Sequence, residues 1–134
     1  GNWGFLKTQN KYRLAPIFDN SSCLYPNMTD EDEMQNVINS HLEADKRIFN
    51  FPTSQIKLQG NKSSYFDVIH SLSFPECNNA LVNIYCKIDL AKIFRLIDEV
   101  EGITQIHREF YKHMIQERFT KIIGASYDLL RSRP

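Results

Sequence analysis

The hydrophobic period changes once along this chain, near residue 29, and that change limits the folds open to it. Before it, Trp3-Gly4-Phe5-Leu6-Lys7 and Lys11-Tyr12-Arg13-Leu14-Ala15-Pro16-Ile17 stand on either side of a polar break at Thr8-Gln9-Asn10. Aromatic and aliphatic enrichment around a short polar turn predicts a β-hairpin. Pro16 has no N–H to give to a ladder, so the second strand ends near it or lies at an edge. Asn20 to Asn27, built from Asn, Ser and Pro, reads as irregular. Beyond it the apolar spacing lengthens from two residues to about 3.6, and every later element reads as helix.

Thr29-Asp30-Glu31-Asp32 supplies an N-cap oxygen and acids for a first turn, followed by the stripe Met34, Val37, Ile38 and Leu42. Residues 47–62 contain Pro52, Gly60 and the run Gln55-Ile56-Lys57-Leu58, which predicts a loop with one extended stretch. A second helix carries Tyr65, Phe66, Ile69 and Leu72. A third starts at Ser73-Phe74-Pro75-Glu76 with Pro in its first turn and carries Ala80, Leu81, Ile84 and Tyr85. Asp89 caps a fourth, with Leu90, Ile93, Phe94, Ile97 and Val100 before Gly102 ends it. The longest, from about Ile103 to Leu130, presents Ile106, Phe110, Met114, Ile122, Ile123, Tyr127 and Leu130, and Gly124 weakens it by about 1 kcal/mol relative to Ala. The expected fold is mainly α, an N-terminal β-hairpin followed by about five helices. Its parts are the hairpin and following loop over 1–28 and a helical bundle over 29–134.

A length of 134 residues fits one compact domain. The 16 basic residues balance 16 acidic ones, which removes the surplus positive charge that a non-specific nucleic-acid binder or a polybasic membrane surface needs. No apolar run approaches the roughly 20 residues required to span a bilayer, and no basic then apolar leader opens the chain. The expectation is a soluble, cytoplasmic protein that contacts neither nucleic acid nor membrane. Cys23, Cys77 and Cys86 are odd in number, lack metal-ligand spacing and read as free thiols, with Cys77 and Cys86 as small hydrophobes on helix faces. The triplets at Asn20, Asn27 and Asn61 fit the glycosylation pattern by chance.

The helical part offers little chemistry. His107 and His113 are six residues apart and cannot share a metal as an i, i+4 pair does. His41 and His70 fall beside apolar stripes as satisfied edge residues. Arg108, Lys112, Arg118 and Lys121, interleaved with Glu109 and Glu117, read as a solvated face. The hairpin differs. With its turn near Asn10, antiparallel strands bring Asn2 roughly opposite Phe18 and Asp19. An amide oxygen and a carboxylate are hard donors suited to Mg2+, which takes one or two protein groups together with phosphates and water. On geometry alone such residues are more often turn or cap residues.

The string Gly1-Asn2-Trp3-Gly4-Phe5-Leu6, followed by Leu14-Ala15-Pro16-Ile17-Phe18-Asp19-Asn20 and Ser21-Ser22-Cys23-Leu24-Tyr25-Pro26, resembles the C-terminal part of HipA-like serine/threonine kinases. The resemblance implies that Asn2 is the metal-binding Asn that closes the catalytic loop, and that Asp19 is the second metal-binding Asp. Trp3, Phe5, Leu14, Ile17 and Phe18 are then expected as core residues fixing the hairpin. Asn20 either orients Asp19 or serves the turn, and Ser21 and Ser22 open a polar loop where an activation segment begins. Mg2+ and ATP are the implied cofactors. A protein substrate and an N-terminal lobe are the implied partners of the parent protein, and some members of the family pair with a DNA-binding antitoxin.

The pattern leaves the catalytic Asp upstream of Gly1, so the chain is expected to begin inside a catalytic loop and to be inactive alone. Two other readings remain. A lipid-kinase C-lobe also places an Asn and an Asp in this way, but Asn20-Ser21 after Asp19 departs from its DFG-like triplet. A non-catalytic helical interaction module needs no metal at all.

Overall fold

A computed structural model describes residues 4–18, 21–50, 54, 56–58 and 60–133, with only the backbone of Ser21 and Ser22. It is mainly helical with an N-terminal antiparallel hairpin, as the sequence predicts. Strands β1 (Phe5–Thr8) and β2 (Lys11–Leu14) pair from Phe5↔Leu14 to Thr8↔Lys11 across a two-residue turn, in which Gln9 takes a left-handed φ of 54°. The Ala15 amide donates to the Gly4 carbonyl at 2.8 Å and extends the pairing by one step.

The apolar side chains of this hairpin are not core. Phe5 is 62% exposed, Leu14 65%, Ile17 83% and Phe18 49%, which corrects the expectation for those four. Two strands alone enclose no volume, and both strands are exposed along their whole length. Trp3 lies outside the described residues.

A single 3-10 turn, Ser21–Leu24, replaces part of the irregular stretch. Helix α1 (Glu31–Asn39) is capped by Asp30, whose carboxylate accepts from the amides of Asp32 at 2.9 Å and Glu33 at 3.3 Å. The stripe expected to continue to Leu42 breaks at Ser40, which adopts extended backbone angles. Its hydroxyl accepts from the Glu43 amide at 3.4 Å and so opens helix α2 (His41–Asn50). A serine that bonds nearby backbone competes with helix propagation and favours caps. Leu42 is consequently exposed, and Ala44 and Ile48 take the buried positions. Residues 47–50, expected as loop, are the last turn of α2.

Strands β3 (Lys57–Leu58) and β4 (Asn61–Lys62) form a minimal hairpin, with Gly60 at a φ of 85° in its turn. Helix α3 (Tyr65–His70) starts with a capping box between Ser64 and Asp67. Helix α4 (Pro75–Tyr85) has Pro at its start, and α5 (Leu90–Asp98) is capped by Asp89, both as predicted. Val100, expected in that stripe, lies past the helix and is exposed.

Helix α6 (Gln105–Arg118) runs through a π turn (Phe119–Gly124) into α7 (Ala125–Arg131). The described residues thus hold seven α-helical segments where about five helices were expected, because α2 was unforeseen and the last helix is interrupted. A Cβ at Gly124 would stand 3.3 Å from the Phe119 carbonyl oxygen, so this glycine also keeps the π turn uncrowded.

Met34 and Val37 of α1, Ala44 and Ile48 of α2, Phe110 and Met114 of α6 and Ile122 of the π turn form the buried core. Leu24, Tyr25 and Met28 pack against its edge, so the segment after the hairpin is fastened to the helical body. Cys77 and Cys86 are free thiols but exposed, at the first turn and the C-cap of α4, rather than packed on a helix face.

Candidate functional site

Asn2, Asp19 and Asn20 lie outside the described residues, so the expected pairing of Asn2 with Phe18 and Asp19 does too. Described structure flanks them on both sides. On one side is the β1–β2 ladder, centred between Gln9 and Asn10 and reaching Gly4 and Ala15. On the other is the 3-10 turn and the segment through Met28.

That second flank is held by basic residues from two helices. The Arg118 guanidinium donates through Nη1 to the Cys23 carbonyl oxygen at 2.6 Å, across 95 positions of sequence, and lies 5.9 Å from the centre of the Tyr25 ring. The Tyr25 hydroxyl donates to the Arg47 carbonyl at 3.0 Å, and its ring meets Phe110 edge-on at 6.1 Å. Burial raises the phenol above its ordinary value, with Arg118 and Arg47 partly opposing it. Arg47 binds the carboxylates of Glu33 at 2.7 Å and Glu43 at 3.0 Å, tying α1 to α2. Tyr25 adopts a left-handed φ of 57°, a conformation that costs a non-glycine residue about 1 kcal/mol and persists only when surrounding contacts impose it.

The row of charges on α6 and the π turn is therefore not a simple solvated face. Lys112 pairs with Asp98 at 2.6 Å, Lys121 with Asp45 at 2.5 Å and Glu117 at 2.7 Å, and Arg108 donates to the carbonyls of Ile103 and Val100. Each of these contacts reaches a partner that sequence spacing alone does not reveal, except the i, i+4 pair of Glu117 and Lys121.

Of the histidines, His70 bonds the buried Ser126 hydroxyl at 3.2 Å and stacks on Phe66, the satisfied edge position expected of it. His41 is exposed at the start of α2. His107 sits 2.8 Å from the capping Thr104 hydroxyl. The His113 Nε2 is buried and has no hydrogen-bond partner among the described residues. Burial holds this imidazole below its ordinary value of 6.5, with Lys121 and His41 acting in the same direction and Glu117 against them.

A histidine whose folded-state pKa is depressed binds fewer protons folded than unfolded, so it contributes stability above about pH 6.5 that is lost as pH falls. The denaturant midpoint should therefore decline from pH 7 to pH 5. His113→Gln should flatten that decline, and an unchanged slope in the variant would show that other groups cause it. Among the described residues, no group of three or more His, Cys, Asp or Glu could hold a metal ion.

No family model matches the chain. It is 41% identical over 130 residues to the serine/threonine-protein kinase CtkA of Helicobacter pylori strain J99. The chain is homologous to CtkA. The match covers 95% of the chain and 40% of that relative. The crystal structure of a Helicobacter pylori proinflammatory kinase CtkA superimposes with a TM-score of 0.83 at 40% identity, covering 96% of the chain and 48% of the solved one. The chain thus spans less than half the length of either CtkA protein. The likeness extends well beyond residues 1–26, where the kinase-like motif was legible, and takes in the helical body as well. No helix among the described residues is long and apolar enough to cross a membrane.

Proposed function

We propose that this chain is the C-terminal part of a HipA-like serine/threonine protein kinase that transfers the γ-phosphoryl group of ATP to a protein Ser or Thr hydroxyl. The observation that carries the reading is 41% identity to a serine/threonine kinase across 95% of the chain. The kinase-like order of Asn2 and Asp19 around a hairpin agrees with it. Asn2 and Asp19 are the residues that would hold Mg2+, since an amide oxygen and a carboxylate are the hard donors this cation accepts. Bound with ATP, the cation neutralises charge on the phosphates.

The chain's own contribution is positional. The β1–β2 hairpin lies between the two donors in the chain, and Leu24, Tyr25 and Met28, which follow Asp19 in sequence, pack against the helical core. The Asp that accepts the hydroxyl proton corresponds, in this reading, to a residue before Gly1, and the groups that grip the triphosphate belong to an N-terminal lobe. The test is a radiolabel transfer assay with ATP, Mg2+ and a general Ser/Thr substrate. The full-length protein should phosphorylate, and the 134-residue chain should show no turnover. Robust transfer by the chain alone would overturn the division of labour, and none by the full-length protein would overturn the kinase reading.

A further inference from the structure

We propose that the outer edge of β2 takes up an extended segment of a partner protein in which acidic residues alternate with apolar ones. The proposal goes beyond the kinase reading and does not depend on it. Three of the chain's 16 basic residues, Lys7, Lys11 and Arg13, lie within residues 4–18, and none of its 16 acidic residues does. All three are exposed, and neither Lys11 nor Arg13 meets a carboxylate among the described residues.

The ladder decides what this edge presents. The Ala15 amide bonds the Gly4 carbonyl, and antiparallel pairs alternate between bonded and non-bonded, so Arg13 and Lys11 turn their backbone groups to Leu6 and Thr8. The amides and carbonyls of Tyr12 and Leu14 therefore face away from β1 and find no partner among the described residues. An added strand pairs with that row. Side chains alternate between the two faces. Lys11 and Arg13 share one face with Thr8 and Leu6, while Tyr12 and Leu14, 67% and 65% exposed, share the other with Phe5 and Lys7. Beside the turn, Thr8, Gln9, Lys11, Tyr12 and Arg13 line an open cleft of about 460 Å3. A strand laid against β2 thus sets acids beside Lys11 and Arg13 on one face and apolar side chains beside Tyr12 and Leu14 on the other.

The same charges disfavour other occupants. A second copy joined β2 to β2 would oppose Lys11 and Arg13 to their own kind, and like charges directly opposite destabilise a strand pair. Charge on an edge repels neutral strands as well. Three basic residues also fall short of the four to eight or so that an anionic membrane patch gathers.

A fluorescein-labelled decapeptide of alternating Glu and Val, titrated with the full-length protein and followed by anisotropy, tests this. It should bind, and raising salt from about 50 to about 300 mM should weaken binding several-fold. Lys11→Glu/Arg13→Glu should bind about tenfold more weakly, because reversal turns two attractions into two repulsions. Lys57→Glu/Lys62→Glu, which reverses the facing pair on β3 and β4, should bind as the wild type does. A peptide with five Glu followed by five Val keeps the charge, loses the alternation and should bind several-fold more weakly. With the alternating peptide bound, hydrogen exchange at the Tyr12 and Leu14 amides should slow. No binding, equal losses in the two variants, equal affinity for the two peptides, or unslowed exchange at Tyr12 and Leu14 each overturns the strand addition. A ten-nucleotide RNA held more tightly than the peptide would overturn the choice of a protein partner. Should the charge reversal disturb the hairpin, Lys11→Gln/Arg13→Gln must still lose several-fold in affinity, and no loss overturns the proposal equally.

Discussion

Asp19→Asn in the full-length protein should lower phosphoryl transfer by about a thousandfold, the largest functional loss expected from a single substitution in this chain. The substitution keeps the size of the side chain and one oxygen donor but removes the negative charge that, in the proposed reading, would face the cation. A metal supplies several kcal/mol of charge stabilisation, and each 1.36 kcal/mol is worth about tenfold in rate, so loss of one anionic ligand reaches that range. The measurement is the initial rate of label transfer at saturating ATP and Mg2+, with the thermal midpoint recorded beside it. A rate equal to the wild type would remove Asp19 from the site. A midpoint that falls steeply with the rate would move the effect from chemistry to folding.

Phe110→Ala should destabilise the chain by about 4 kcal/mol and lower its melting midpoint by about 10 to 15 °C. Phe110 has no exposed surface. It lies in the core that α1, α2, α6 and the π turn share, and its ring also meets Tyr25. Truncation leaves a cavity that these elements cannot all close at once, so the lost transfer energy and the void add. Thermal unfolding followed by circular dichroism reads the result. A shift of less than about 1 kcal/mol would show that the helices collapse onto the vacancy.

Much of the scaffold was legible because its signals are local. Asp30 and Asp89 announce helix starts by capping chemistry, Pro75 by its tolerance at a first turn, and the long final helix by its period. Ser40 was harder to read. The Met34 to Leu42 spacing continues a helical stripe through it, and only the hydroxyl's bond to Glu43 reveals the break.

Exposure of the hairpin was not legible either, because composition shows that Phe5 and Leu14 are apolar but not whether another layer meets them. For the candidate site, Asn2 and Asp19 stood out through residue order. Arg118 did not, because its partner is 95 positions away and a basic residue among Glu and Lys looks like ordinary surface. Burial of the His113 Nε2 was not legible, because the period of one helix does not say which neighbour packs over a given position.

The π turn sets the angular phase of everything after it. One residue advances an α-helix by about 100°, and a π turn takes in one residue more than the regular winding needs. Straightening the turn into regular winding with every residue kept would swing α7 by roughly that angle, whereas removing one residue at Thr120 would let regular winding deliver α7 in its present phase. In the first case Ser126 would leave His70, and Tyr127 would leave the Tyr85 ring that it stacks against at 3.9 Å. The C-terminal segment thus finds α3 and α4 through a counting rule in which the π turn absorbs the extra residue.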